Sequence, residues 1–165
     1  MSVDLKNYNL LDHAEKLYED GNFESALKHY EICFLHDPHN TKLLNLAGVC
    51  LASQGKYEEA FVYLDEAVKI SSNEPTYLTN LGNCLLYLKK PAEALPYFER
   101  ALEIDNNNPL YLAHLAGCQG IIGVKAFSSN LKRAFFMATD LKLPTNSPTM
   151  QTIMMLSDAH QIKLT

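Results

Sequence analysis

"NLAGVC" (residues 45–50), "NLGNC" (80–84) and "HLAGC" (114–118) each end in a cysteine. Cys50, Cys84 and Cys118 stand 34 positions apart, and a spacing that recurs marks an internal repeat. A zinc site would need clustered ligands such as C-x2-C, and none occurs. A disulfide needs Cα atoms within about 7 Å, whereas equivalent residues of stacked helix pairs lie roughly 10 Å apart per packed helix. The three thiols therefore read as small, buried core side chains.

The rest of the chain recurs in step. From Thr41 one unit carries Leu44, Ala47-Gly48, Leu51, Tyr57, Ala60, Leu64 and Ala67. From Pro75 the next carries Leu78, Leu81-Gly82, Leu85, Ala94, Phe98 and Ala101. Stepping back to Asn7 gives Leu10, His13-Ala14, Leu17, Phe23, Ala26, Tyr30 and a closing Asp37-Pro38. A fourth unit starts at Pro109 with Leu112, Leu115-Ala116 and Cys118, then loses the small-residue register while keeping helical apolar spacing. These residues resemble the tetratricopeptide repeat, whose period is about 34 residues. The resemblance implies an all-α fold, a right-handed α-solenoid of helix-turn-helix units in a single domain over residues 1–165. Its repeats are 7–40, 41–74, 75–108 and a degenerate 109–142, with a C-terminal capping helix at about 147–162.

Local chemistry agrees. Apolar residues recur at three and four positions, the period of an amphipathic helix. Gly21 and Gly55 fall where the first helix of a unit ends, and glycine accepts the left-handed backbone that such ends use. Unit three has Lys89-Lys90-Pro91 there, and Pro91 suits the first turn of the following helix. Pro96 lies deeper and predicts a local bend. Beyond the break at KLPTNSPTM, Ser147 is placed to cap a last helix with Met150, Ile153, Met154 and Ala159 on one face. That helix reads as a cover for the last apolar face. Its methionines also suit a contact with a partner or a homo-oligomer.

Composition narrows the function. The 165 residues are 47% hydrophobic and 20% charged, as in ordered chains, and the net charge of −5 offers no basic footprint for nucleic acid or an anionic membrane. Neither a leader peptide nor an apolar run of about 18 residues is visible, so a cytoplasmic protein with reduced thiols and no membrane insertion is expected. Cys33, His36 and His39 cluster at a helix end without a second pair to complete a metal site, and no metal or cofactor is expected. Glu58-Glu59, Asp65-Glu66, Glu99 and Glu103 read as solvated faces of second helices. No nucleophile elbow, phosphate loop or H-E-x-x-H appears, so the chain is not expected to be an enzyme.

The resemblance also says where a ligand would sit. First helices of tetratricopeptide units line a concave groove, through positions 2, 5, 9, 12 and 13 of each unit. Here those positions hold Tyr8, Leu11, Glu15, Tyr18 and Glu19, then Lys42, Asn45, Val49, Ala52 and Ser53, then Thr76, Thr79, Asn83, Leu86 and Tyr87, with Leu110, Ala113, Gly117, Gly120 and Ile121 in unit four. The family's carboxylate clamp for acidic chaperone tails needs several Lys, Arg and Asn, and only Lys42 and Asn45 approach it. Tyrosine offers rigid contact area with a polar tip, and asparagine both donates and accepts toward an extended backbone. A protein or peptide partner bound as an extended, partly apolar segment is the expected ligand. The alternative for each residue is packing between neighbouring helices.

A narrower resemblance is to the small acidic chaperones of type III secretion translocators. Cys33, Cys50 and Cys84, in "ICFLHDPHN", "LAGVC" and "LGNCLLYLKKPAEA", reproduce their cysteine arrangement. It implies a groove that holds an apolar segment of a secretion client. The chain departs from that family in reaching its first repeat by Asn7 and in having a fourth. A scaffold that binds folded partners through its convex face or terminal helix is the rival class.

Overall fold

In the computed structural model, which describes the backbone of residues 4–164 and side chains from Leu10 to Leu164, every regular element among the described residues is an α-helix. Contacts gather these helices into two units that divide after Ser72. The first holds α1 (Asp4–Glu19), α2 (Phe23–Phe34), α3 (Thr41–Ser53) and α4 (Tyr57–Ile70). The second holds α5 (Pro75–Tyr87), α6 (Pro91–Ile104), α7 (Pro109–Ile122), α8 (Phe127–Asp140) and α9 (Pro148–Ala159). Helix–helix contact is richest between α1 and α2, α3 and α4, α5 and α6, and α7 and α8, the hairpins that the repeat register predicts.

The hairpins close by a common device. Gly21, Gly55 and Gly123 have φ of 78°, 77° and 76°, and Lys89, at the same repeat position, has 63°. At each end the left-handed residue donates to a carbonyl three residues back and the next N–H reaches five back. Gly55 N bonds Ala52 O at 2.9 Å and Lys56 N bonds Leu51 O at 3.0 Å, as Lys89 N bonds Leu86 O at 3.0 Å and Lys90 N bonds Leu85 O at 2.9 Å. Helix starts are also fixed locally. The side chains of Asn40, Asn108 and Ser147 accept from Leu43 N, Leu110 N and Met150 N, and prolines open α5, α6, α7 and α9. α6 runs as one helix through Pro96.

A second device interlocks the two helices of a hairpin. A methyl group on Gly48 would stand 2.6 Å from Leu64 Cγ, and one on Gly82 would stand 2.7 Å from Phe98 Cζ. Missing side chains at these points of α3 and α5 let the large side chains of α4 and α6 lie against the facing backbone. Leu64, Phe98 and their counterpart Tyr30 are fully buried, as are Ala26, Ala60 and Ala94 one turn earlier. The fourth hairpin differs: α8 buries Leu131, Ala134 and Ala138, which fall outside the positions used by α2, α4 and α6.

All four cysteines are buried and unpaired by disulfides. Burial pushes the Cys50 and Cys118 thiols up to about 11 and raises that of Cys33, so these three are not ready nucleophiles. They pack the core, as their register suggests. No helix among the described residues is long and apolar enough to cross a membrane.

Candidate functional site

In the second unit the first helices of two hairpins and the terminal helix face one another across a cleft of about 430 Å³. α5 supplies Asn83, Leu86 and Tyr87 to its wall, with Lys89 just beyond the helix end. α7 supplies Ala113, His114, Gly117 and Ile121. α9 and the residue after it supply Thr152, Met155, Leu156 and His160. The groove positions expected in units three and four are thus partly brought together here. Thr79 is not among them: it is buried, and its hydroxyl donates to Pro75 O at 2.7 Å within α5.

The sequence places α9 and its methionines but not the face that α9 turns to the cleft. Met150, Ile153 and Ser157 are buried, as a cover requires, whereas Met154 is 46% exposed and Ala159 is exposed. The neighbouring face, through Thr152, Met155 and Leu156, looks into the cleft. α7 comes close to its neighbours at two glycines: a Cβ on Gly117 would meet the Leu156 methyls at 3.3 Å, and one on Gly120 would meet Phe127 of α8 at 3.2 Å and His160 at 3.3 Å. These two groove positions of unit four are therefore seats for α9. The terminus of α9 repeats the chemistry of the first helices: Gln161 is left-handed at 54°, its N–H bonds Asp158 O, and Ile162 N bonds Ser157 O. It falls outside the 34-residue register, so the cysteine spacing gave no sign of it.

Apolar surface dominates the cleft, with a few polar groups placed on it. Tyr87, Ile121 and Met155 are between 60% and 64% exposed, a cluster of large side chains left open to solvent. Among the described residues no hydrogen bond engages the half-buried Asn83 amide. His114 stacks on Phe98 with centroids 5.8 Å apart, and burial pushes its imidazole down to about 4, so at neutral pH it presents an uncharged ring. The His160 ring lies 4.5 Å from that of Phe127, and its Nδ1 is 3.0 Å from Leu156 O.

The groove positions of the first unit are used differently. The Tyr8 side chain lies outside the described residues. Leu11 and Tyr18 rest against the core formed by Ala14, Ala26, Tyr30, Cys33, Leu43, Ala47 and Cys50, and Tyr18 also packs on Phe23 at 5.4 Å. Lys42 pairs with Glu15 at 2.6 Å, which joins α1 to α3. Asn45 is 7% exposed and Val49 is half-buried. Packing or ion pairing thus engages Leu11, Tyr18, Lys42 and Asn45.

No curated protein matches the sequence. Residues 39–107 match the tetratricopeptide repeat family model. Among solved structures, an O-GlcNAc transferase mutant from Thermobaculum terrenum is similar over 81% of this chain, with a TM-score of 0.76 and 21% identity. The chain spans 26% of that protein's length. The first tetratricopeptide domain of Spaghetti (RPAP3), solved with the HSP90 peptide SRMEEVD, is similar over 72% of this chain and 94% of its own, with a TM-score of 0.68 and 22% identity. A MamA double mutant is similar over 94% of this chain and 96% of its own, with a TM-score of 0.71 and 19% identity. The period first marked by Cys50, Cys84 and Cys118 is that of the tetratricopeptide repeat, and the chain has the all-α fold of a tetratricopeptide solenoid.

Proposed function

We propose that the protein is a non-enzymatic interaction module that takes an extended, partly apolar segment of a partner protein into the cleft between α5, α7 and α9. The observation that carries this reading is the cleft itself: open tyrosine, isoleucine and methionine surface beside an unengaged asparagine amide. Side chains of the segment would lie against Leu86, Tyr87, Ile121 and Met155, and Asn83 would bond its backbone.

The RPAP3 neighbour supports a peptide as the ligand class, but its acidic HSP90 peptide is a poor guide to sequence. Lys42, the lysine nearest to a carboxylate clamp, is already paired with Glu15. The cysteine arrangement shared with type III secretion chaperones makes an apolar stretch of a secretion client the first natural segment to try. Short capped peptides rich in Leu, Met and Phe serve as the general probe. Replacing Tyr87 and Met155 together with Ala should weaken their binding by roughly tenfold. The melting temperature should stay unchanged, because both side chains are mostly exposed. Unaltered affinity, or amide-exchange protection that appears on bound protein only outside α5, α7 and α9, would sink the reading.

A further inference from the structure

Lys89 is the single Lys, Arg, Asp or Glu on the cleft wall, and it stands at an unexpected place in the backbone. In-register residues Gly21, Gly55 and Gly123 are glycine, and all four positions are left-handed. A side chain there is less favourable than glycine. The C-terminal end of α5 attracts cations in general. Lys90, in register with Lys56 of the preceding hairpin, is drawn to the next helix, where it pairs with Glu93 at 3.4 Å. Lys89 is the additional cation. Among the described residues it takes part in no ion pair, and its side chain is exposed at the rim of an otherwise uncharged apolar wall.

We propose that Lys89 is a specificity-determining residue: its ammonium selects, among apolar segments that enter the cleft, those carrying an Asp or Glu side chain beside their apolar residues. The inference rests on the cleft being the ligand site. Charge complementarity is its basis, because the wall offers one fixed charge and that charge is positive. The chain as a whole carries −5, so acidic segments meet no general attraction and the discrimination must be local. An exposed pair of this kind sharpens selection more than it adds affinity.

The test uses the full chain and short peptides acetylated and amidated at their ends, rich in Leu, Met and Phe, each made in a Glu and an isosteric Gln version. Fluorescence anisotropy should show the Glu versions binding roughly threefold more tightly. The preference should vanish in Lys89→Gly and at high salt, and reverse in Lys89→Glu. Lys89→Gly should melt no lower than the wild type, since glycine suits the left-handed backbone. A Glu preference that survives Lys89→Gly, equal binding of Glu and Gln versions, or a lower melting temperature for Lys89→Gly would each overturn the proposal while leaving the cleft as a peptide site. Uncapped peptides outcompeting internal Glu would overturn it in favour of a terminal carboxylate. Failure of every peptide to bind would remove the cleft reading as well.

Discussion

The two units contain the same kind of hairpin and treat their inward-facing positions in opposite ways. In the first, Leu11 and Tyr18 pack on the core, Asn45 is buried and Lys42 is held by Glu15. In the second, Leu86, Tyr87 and Asn83 open into a cleft because α9 stands as a facing wall, seated on Gly117 and Gly120. Repeat position tells which side of a helix a residue occupies. Whether that side is filled or free is decided by what packs across from it, and that neighbour is another segment of chain.

Position 24 of the repeat offers the strongest way to break this comparison. Phe98 is fully buried between α5 and α7, against Gly82 and His114, and Phe98→Ala should cost about 3–5 kcal/mol in urea unfolding. Its first-unit counterpart behaves differently, because the fully buried Tyr30 hydroxyl has no hydrogen-bond partner among the described residues. Tyr30→Phe should therefore be neutral or slightly stabilising, by less than about 1 kcal/mol. A large loss there would mean that the hydroxyl is satisfied after all.

The next effect comes from pH. The His114 imidazole lies at about 4 in the folded protein against an ordinary value of 6.5, so its folded pKa is depressed. Above 6.5 both states are neutral there and stability does not respond to this group. As pH falls from 6.5 toward 4 the unfolded chain binds a proton that the folded chain refuses, and stability drops by up to roughly 3 kcal/mol. Unfolding curves of wild type and His114→Gln across that range should converge as the pH is lowered. Parallel curves would show that the ring titrates normally.

Smaller changes probe the interlock and the two asparagines. Gly82→Ala should cost roughly 1–3 kcal/mol by pushing Phe98 from its seat, and Gly48→Ala a similar amount against Leu64. Measured losses below those of an exposed helical substitution would show that the large side chains yield easily. Asn45 and Asn83 then separate the units directly. Asn45→Ala should lower stability by about 1 kcal/mol and leave peptide affinity unchanged, since the residue is buried. Asn83→Ala should do the reverse, with affinity followed by anisotropy and stability by thermal melting.

Much of the fold was legible because its determinants are local in sequence. Gly21 and Gly55 announce left-handed helix ends, Ser147 announces a cap, and the cysteines keep time for the core. Lys89 hid its equivalence to glycine, since residue type alone does not report φ. The candidate site was legible only by half. Asn83, Leu86 and Tyr87 follow from repeat position, but their exposure depends on a helix placed after an irregular connection that breaks the register. His114 lay outside the positions considered, and its role appears only when Phe98 is seen stacked against it.

The seating of Leu64 on Gly48 and of Phe98 on Gly82 also bears on how the chain folds. Each pair joins residues 16 positions apart within one hairpin, so the loop that must close to form it is small and its entropic cost low. Such locally determined contacts favour rapid folding, with any hairpin able to act as a nucleus and its neighbours adding by docking. α9 is the exception, since its seats on α7 lie across the whole of α8. The last wall of the cleft is therefore expected to assemble late and to open first, which ties ligand access to the least locally secured helix of the second unit.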